Sequence, residues 1–213
     1  MKPDNSQSHL FWGNHAPLST LAAAALMIMA TGRLAFALIL AIALIWVNLL
    51  TVLIVSFGRP ILPGKGRELL YVFLTGFAGS LFLLLVHAIN PFLAMEITFL
   101  MALTPLYGIG SGICRRVASL EHEDALLKAF LEALLLGGIL VGLALIREPL
   151  GFGSFSFPGG LQGIRVLDFS GEPGSAGAFP LRIIGGATGG LLLLGYGLSL
   201  FRRFKARRPG GEA

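Results

Sequence analysis

Four predominantly apolar stretches of this chain contain no charged residue and are long enough to cross a lipid bilayer: 34–58, 69–95, 97–114 and 183–201. An α-helix rises about 1.5 Å per residue, so ~20 apolar residues traverse a hydrocarbon core ~30 Å thick. Two further spans are less clean. One lies at about 15–32, and the other at about 125–146, where only Lys128 and Glu132 interrupt the apolar run. Continuous Leu, Ala and Ile runs lack the short alternating segments of a β-barrel. Composition agrees: 55% of the 213 residues are hydrophobic, 13% are charged and the mean hydropathy is +0.81, whereas a soluble domain carries about 25% charged residues. The expectation is an all-α integral membrane protein, a single transmembrane domain over 1–213. Its six transmembrane helices are expected at about 15–32, 34–57, 69–89, 92–113, 125–146 and 182–201, with an extracytoplasmic loop at 149–179.

Lys and Arg in short loops orient such a chain. With six spans, twelve of the sixteen basic residues fall on the side of the two termini, and Arg33, Arg147, Arg165 and Arg182 fall on the other. Both termini are therefore expected in the cytoplasm. The N-terminal MKPDNSQSHLFWGNHAP has one lysine and no cleavage-type pattern, so no removable leader is expected and the first span should stay in the mature chain. The net charge is +5, and RRFKARR at 202–208 directly follows an apolar span. That placement reads as anchoring to the lipid bilayer, and no nucleic-acid role is expected. Cys114 is the single cysteine, beside Arg115 and Arg116 at a span end, which excludes an internal disulfide or a thiolate-clustered metal site within one chain.

The fifth span opens as SLEHEDALLKAF, with Ser119 as N-cap and Glu121, Glu123 and Asp124 in the first turn, where the helix dipole favours negative charge. It closes as ALIREPLG, with the cation Arg147 in its last turn. Pro149 disfavours the helical conformation at Glu148, and Gly151 and Gly153 release the chain, so the helix is expected to stop there as it leaves the membrane. From Pro149 to Phe179 the sequence is rich in Gly, Pro and Ser, and Phe152, Phe155 and Phe157 suit a loop lying along the interface.

Within the fourth span, TPLYGIGSG at 104–112 places Pro105 ahead of Gly108, Gly110 and Gly112. Two readings stand: a helix broken at mid-depth, of the sort that lines substrate or ion sites, and a proline kink with glycines for close packing. The alanines at 22–25 offer close backbone approach in the first span, and Gly185, Gly186, Gly189 and Gly190 form two overlapping GxxxG pairs that read as a packing face. Glu132, two turns into the fifth span, either pairs with Lys128 one turn before it or acts as a buried group that carries protons or binds a cation. His87 and Glu96 flank the turn Asn90-Pro91 and are expected near the outer surface, and Asn48 reads as interhelical glue. The two sets of three spans, 15–89 and 92–201, would have opposite orientation, as in a 3+3 inverted repeat with broken helices 1 and 4.

ALIREPLG resembles the IREILG-type ending of the fifth span in the membrane subunits of the Rnf/Nqr family, found in Rnf electron-transport complexes and sodium-translocating NADH:quinone reductase. GRELLYVFLTGFAGSLFLLLVHAINPFL resembles that family's third span and the turn after it, and LYGIGSGICRRVA the end of its fourth. The resemblance implies six spans with an inverted repeat, cytoplasmic termini as in the D/E-type subunits, a bacterial inner-membrane location, and other membrane subunits as partners, including a paralogous six-helix subunit. Members of the family contribute two cysteines to an iron–sulfur cluster between paired subunits. Here Ala25 and Gly108 occupy those positions, so the family's cluster is not expected to be ligated by this chain. The resemblance thus implies a membrane subunit, or divergent paralogue, of an ion-translocating electron-transport complex, structural or ion-conducting, with no catalytic residue to name. A stand-alone small-solute or ion transporter built on Glu132 and the 104–112 segment, and a non-transporting scaffold, are the alternatives.

Overall fold

A computed structural model of the protein describes residues 26–58, 67–111, 122–159, 163–168 and 182–206. Ala25, Gly112, Cys114 and Ser119, most of the first expected span and the basic residues after 206 lie outside the described residues. A short 3-10 helix, Leu26–Gly32, leads into α1, Leu34–Gly58. There follow α2, Arg67–Ile89, α3, Pro91–Ala102, and α4, Thr104–Ser111. Next come α5, His122–Phe152, an antiparallel hairpin of β1, Ser154–Pro158, and β2, Ile164–Asp168, then α6, Arg182–Gly185, and α7, Ala187–Ala206.

Three of these helices, over Leu34–Gly58, Leu69–Ile89 and Glu123–Phe152, are long and apolar enough to cross a membrane. The outer surface agrees with that reading. Phe57, Phe73, Phe77, Ile89, Met95, Phe99, Leu192 and Tyr196 are all exposed, an apolar perimeter of a kind that a protein in water does not sustain. The protein is a predominantly helical membrane protein.

The centre of the fold is the pair α1 and α5, which share the most extensive contact. They run antiparallel. Leu34 lies against Glu148, Ala37 and Ala144 share one apolar cluster, Ala41 faces Gly137, and Val52 and Val55 pack with Ala125 and Ala129. Small residues on both helices allow this close approach, the main source of helix association where lipid removes the hydrophobic driving force. The α2 helix lies along α1 and turns back into α3 within one residue. Asn90 makes that turn by accepting the Leu93 N–H on its side-chain oxygen, with Pro91 in the first helical turn, where its missing N–H costs nothing. The 3-10 helix packs on α1, α5 and α7, and α6 rests on α5.

Two adjacent glycines on α5 report the tightness of the central pair with opposite signs. A Cβ on Gly137 would stand 2.9 Å from the Ala41 Cβ, whereas one on Gly138 meets nothing within 4 Å. Gly137→Ala is therefore expected to destabilise by about 1–3 kcal/mol through overpacking, and Gly138→Ala to stabilise by up to about 1 kcal/mol through helix propensity. Thermal unfolding of the two variants in detergent measures the contrast.

Between the fifth expected span and the last, the chain is more regular than a Gly, Pro and Ser-rich loop. The α5 helix passes through Pro149 and ends only at Gly153, whose φ of 65° lies in the left-handed region and whose N–H donates to the Pro149 carbonyl at 3.0 Å. The β-hairpin begins directly after it. Ser154 and Ser156 are buried while Phe157 is exposed, the alternation of a half-buried strand.

Candidate functional site

Arg147 and Glu148 sit side by side near the end of α5, and both are about 1% exposed. Consecutive residues on a helix point about 100° apart, so the two reach different neighbours. Glu148 turns to α1 and accepts the Leu34 N–H at 2.7 Å. The Ser156 hydroxyl from β1 accepts the next one, Ala35 N–H, at 3.2 Å. The first N–H groups of a helix have no partner within it and carry the positive end of its dipole, so a carboxylate is well matched there.

Arg147 turns the other way. Its Nε donates to the Ile184 carbonyl at 3.1 Å. Its Nη1 donates to the Ile28 carbonyl at 2.9 Å and to the Thr31 hydroxyl. Its Nη2 donates to the carbonyls of Gly185 at 3.0 Å and Gly186 at 2.7 Å. These acceptors come from the 3-10 helix and from the end of α6, where the last carbonyls of a helix are otherwise left over. Gly190 on α7 leaves the room: a Cβ there would come within 2.7 Å of the guanidinium and 2.5 Å of Ile28. Gly151 of α5 and Gly185 approach each other backbone to backbone in the same place, at 2.8 Å from a Cβ built on Gly151. A guanidinium has five N–H donors, and all five are used here. Arg147 is consequently a tether for three chain segments and has no donor left for an anionic ligand.

The expected last span, 182–201, is divided. The α6 helix ends at Gly185, Gly186 bends, and α7 begins at Ala187. The four glycines expected as a packing face thus serve two ends: Gly185 and Gly186 supply carbonyls to Arg147, and Gly189 and Gly190 are buried against neighbouring chain.

In the fourth expected span the helix is interrupted at Leu103, which joins α3 to α4 with φ −81° and ψ −15°. Pro105 follows as the second residue of α4, Gly108 and Gly110 lie within that helix, and Gly112 is outside the described residues. Proline at 105 cannot donate to the Met101 carbonyl one turn back. The Thr104 hydroxyl donates there instead at 2.7 Å. Two glycines of α2 receive the bend, Gly76 beside Pro105 and Gly79 beside the Thr104 Oγ1. The α4 helix also touches the 3-10 helix, Leu26–Gly32. Thr104→Val keeps the shape but removes the hydroxyl donor from the buried Met101 carbonyl, which retains only a backbone N–H from the helix cap. A loss of about 1 kcal/mol is expected, read as a lower unfolding midpoint.

Glu132 is buried at 7% exposure on the face of α5 that meets α1. Ala41 against Gly137 and Val52 against Ala129 bracket it, which puts Asn48 of α1 at its level. Lys128, one turn earlier, is partly exposed. Glu132 and the bend at Leu103 therefore belong to different helix pairs, α1–α5 and α2–α4. His87 and Glu96 are both exposed near the Asn90 turn. Among the described residues no three His, Cys, Asp or Glu side chains come together as a metal site. Cys114, the single thiol of the sequence, lies outside the described residues.

The destinations of Arg147 and Glu148 were hidden in the sequence, where Arg147 reads as a cation closing its own helix. The available signal was an opposed charged pair beside a proline at a span end, together with glycines at 151, 185, 186 and 190. In comparisons with known proteins, the chain matches no family model and no curated protein.

Proposed function

We propose that this chain is a membrane subunit of an ion-translocating electron-transport complex of the Rnf/Nqr type, structural or ion-conducting, seated in a bacterial inner membrane with both termini in the cytoplasm. The six spans and the inverted repeat belong to this reading. The observation that carries it is that ALIREPLG, one of the segments that resemble the family, also ties the 3-10 helix, α1 and the end of α6 to α5 through Arg147 and Glu148. A motif with that structural duty is a reasonable mark of a shared fold. Redox chemistry in such a complex falls to neighbouring subunits, because Ala25 and Gly108 stand where the resemblance calls for cysteines.

The test is purification of the tagged chain from its native membrane in mild detergent. Co-purification of flavin-bearing or iron–sulfur-bearing membrane subunits, with no stoichiometric iron assigned to this chain, is the expected result. Isolation as a homo-oligomer without redox neighbours overturns it. A stand-alone cation transporter is the second reading, favoured by the burial of Glu132 among polar groups in the middle of α1 and α5. Cation uptake by liposomes containing this chain alone, lost in Glu132→Gln, selects that reading.

A further inference from the structure

Hydroxyl side chains on these helices commonly obey a rule that Thr51 breaks. Thr31, Thr75, Ser80, Thr98 and Thr104 each donate to a backbone carbonyl three or four residues back, the usual way a helix satisfies Ser and Thr. Thr51, only 1% exposed, does not, and its Oγ1 finds no hydrogen-bond partner among the described residues. One turn earlier on the same face of α1, Asn48 is 2% exposed and its Nδ2 likewise finds none. Glu132 stands across from them on α5, fixed at that level by the Ala41–Gly137 and Val52–Ala129 contacts.

The depth of this layer matters. Asn48 lies about 21 Å along the axis from the start of α1 at Leu34 and about 15 Å from its end at Gly58. Both distances put it well inside a ~30 Å hydrocarbon core, where unpaired polar groups are costly and an ionisable side chain marks a functional site. The α1 helix has no charged residue. The titratable groups brought to this region are Lys128, one turn away on α5, Tyr71 of α2, packed with Ala129, and Tyr107 of α4, packed with Leu136.

We propose that Asn48, Thr51 and Glu132 form a hydrated proton-binding site in the middle of the membrane. Asn48 Nδ2 donates to the oxygen of a water molecule that the Thr51 hydroxyl also contacts, and that water exchanges a proton with the Glu132 carboxylate. On uptake a hydronium transfers its proton to a carboxylate oxygen and remains as water. Release is the reverse, with no other reactant. Asn48 directs an N–H donor into the layer, which suits a water or carboxylate oxygen and not a metal cation. The inference deepens the ion-handling part of the function proposed above and does not depend on which subunits accompany the chain.

Dicyclohexylcarbodiimide, an apolar reagent that modifies protonated carboxyl groups, tests it on the full chain in liposomes, with the site read by mass spectrometry. Glu132 is expected to be modified, and the modification to be unchanged by sodium at constant pH. In Asn48→Leu/Thr51→Val the modification is expected to fall about tenfold or more, because the proton reaches the carboxylate through the water. The two wild-type measurements stand even if that variant fails to fold. Absence of modification at Glu132, protection by sodium, or undiminished modification in the folded double variant overturns the proposal. Co-purification of redox subunits bears on the complex and leaves this result untouched, so the two can fail separately.

Discussion

Arg147→Ala is expected to cost at least about 3 kcal/mol of stability, the largest loss from any single truncation in the described fold. The substitution removes a buried cation, takes the guanidinium donor from the Ile184 and Gly185 carbonyls and the Thr31 hydroxyl, and leaves the Ile28 and Gly186 carbonyls with one donor each, the Thr31 hydroxyl and the Gly190 N–H. Hydrogen bonds to a charged group contribute about 1.5–3 kcal/mol each, and an orphaned buried acceptor adds its own desolvation penalty. The lost bonds are not additive, so ~3 kcal/mol is a floor. Arg147→Lys should recover only part, since an ammonium has three donors and no planar fork. Free guanidinium at millimolar concentration should restore some of the Arg147→Ala midpoint, because the oxygens that held the side chain remain. Thermal unfolding in detergent, with and without guanidinium chloride, measures all three. An Arg147→Ala midpoint equal to that of the parent would show that these bonds contribute nothing net.

The second large effect is expected at Gly190. A single methyl there would fall 2.5 Å from Ile28 Cγ2 and 2.7 Å from Arg147 Nη1, far inside van der Waals contact. Overpacking ordinarily costs about 1–3 kcal/mol because neighbours shift to relieve it. Here one neighbour is a guanidinium held by five bonds, so relief breaks some of them, and Gly190→Ala should sit at the upper end of that range. Gly195→Ala, five residues on along α7, meets nothing within 4 Å and is expected to unfold at or above the parent midpoint. Gly190→Ala and Arg147→Ala share one cluster of contacts, so the double variant should lose less than the two single losses added together.

How much was legible in the sequence depends on the forces that set each feature. The first clean apolar run is 34–58, and α1 covers the same residues, because a run without charge has no reason to end before Arg59 or begin before Arg33. The Asn90-Pro91 turn was readable from residue types that act locally. Pro149 was read as a helix stop, yet α5 continues to Phe152. Proline removes one helical hydrogen bond, and the tethers of the adjacent Arg147 and Glu148 hold the turn in place. SFSFP at 154–158 has period two, but its setting among Gly and Pro made a loop the natural expectation, and its strand partner lies beyond a turn. The division of 182–201 into two helices was masked by uniform hydropathy. What the glycines at 185 and 186 do depends on Arg147, 38 and 39 residues earlier. Bonds to backbone carbonyls carry no residue identity on the acceptor side, so the sequence could not reveal them.

The tethers of residues 147 and 148 also bear on biogenesis. Their attachment points are Ile28, Thr31 and Leu34 near one end of the chain and Ile184 to Gly186 near the other. During synthesis the carboxylate finds its amide as soon as α5 is inserted, while the guanidinium waits, short of acceptors, until the final hydrophobic segment emerges from the ribosome. A nascent chain halted before residue 182 lacks the Ile184, Gly185 and Gly186 acceptors for that cation, which offers the membrane's quality-control proteases a way to tell a chain that carries them from one that does not.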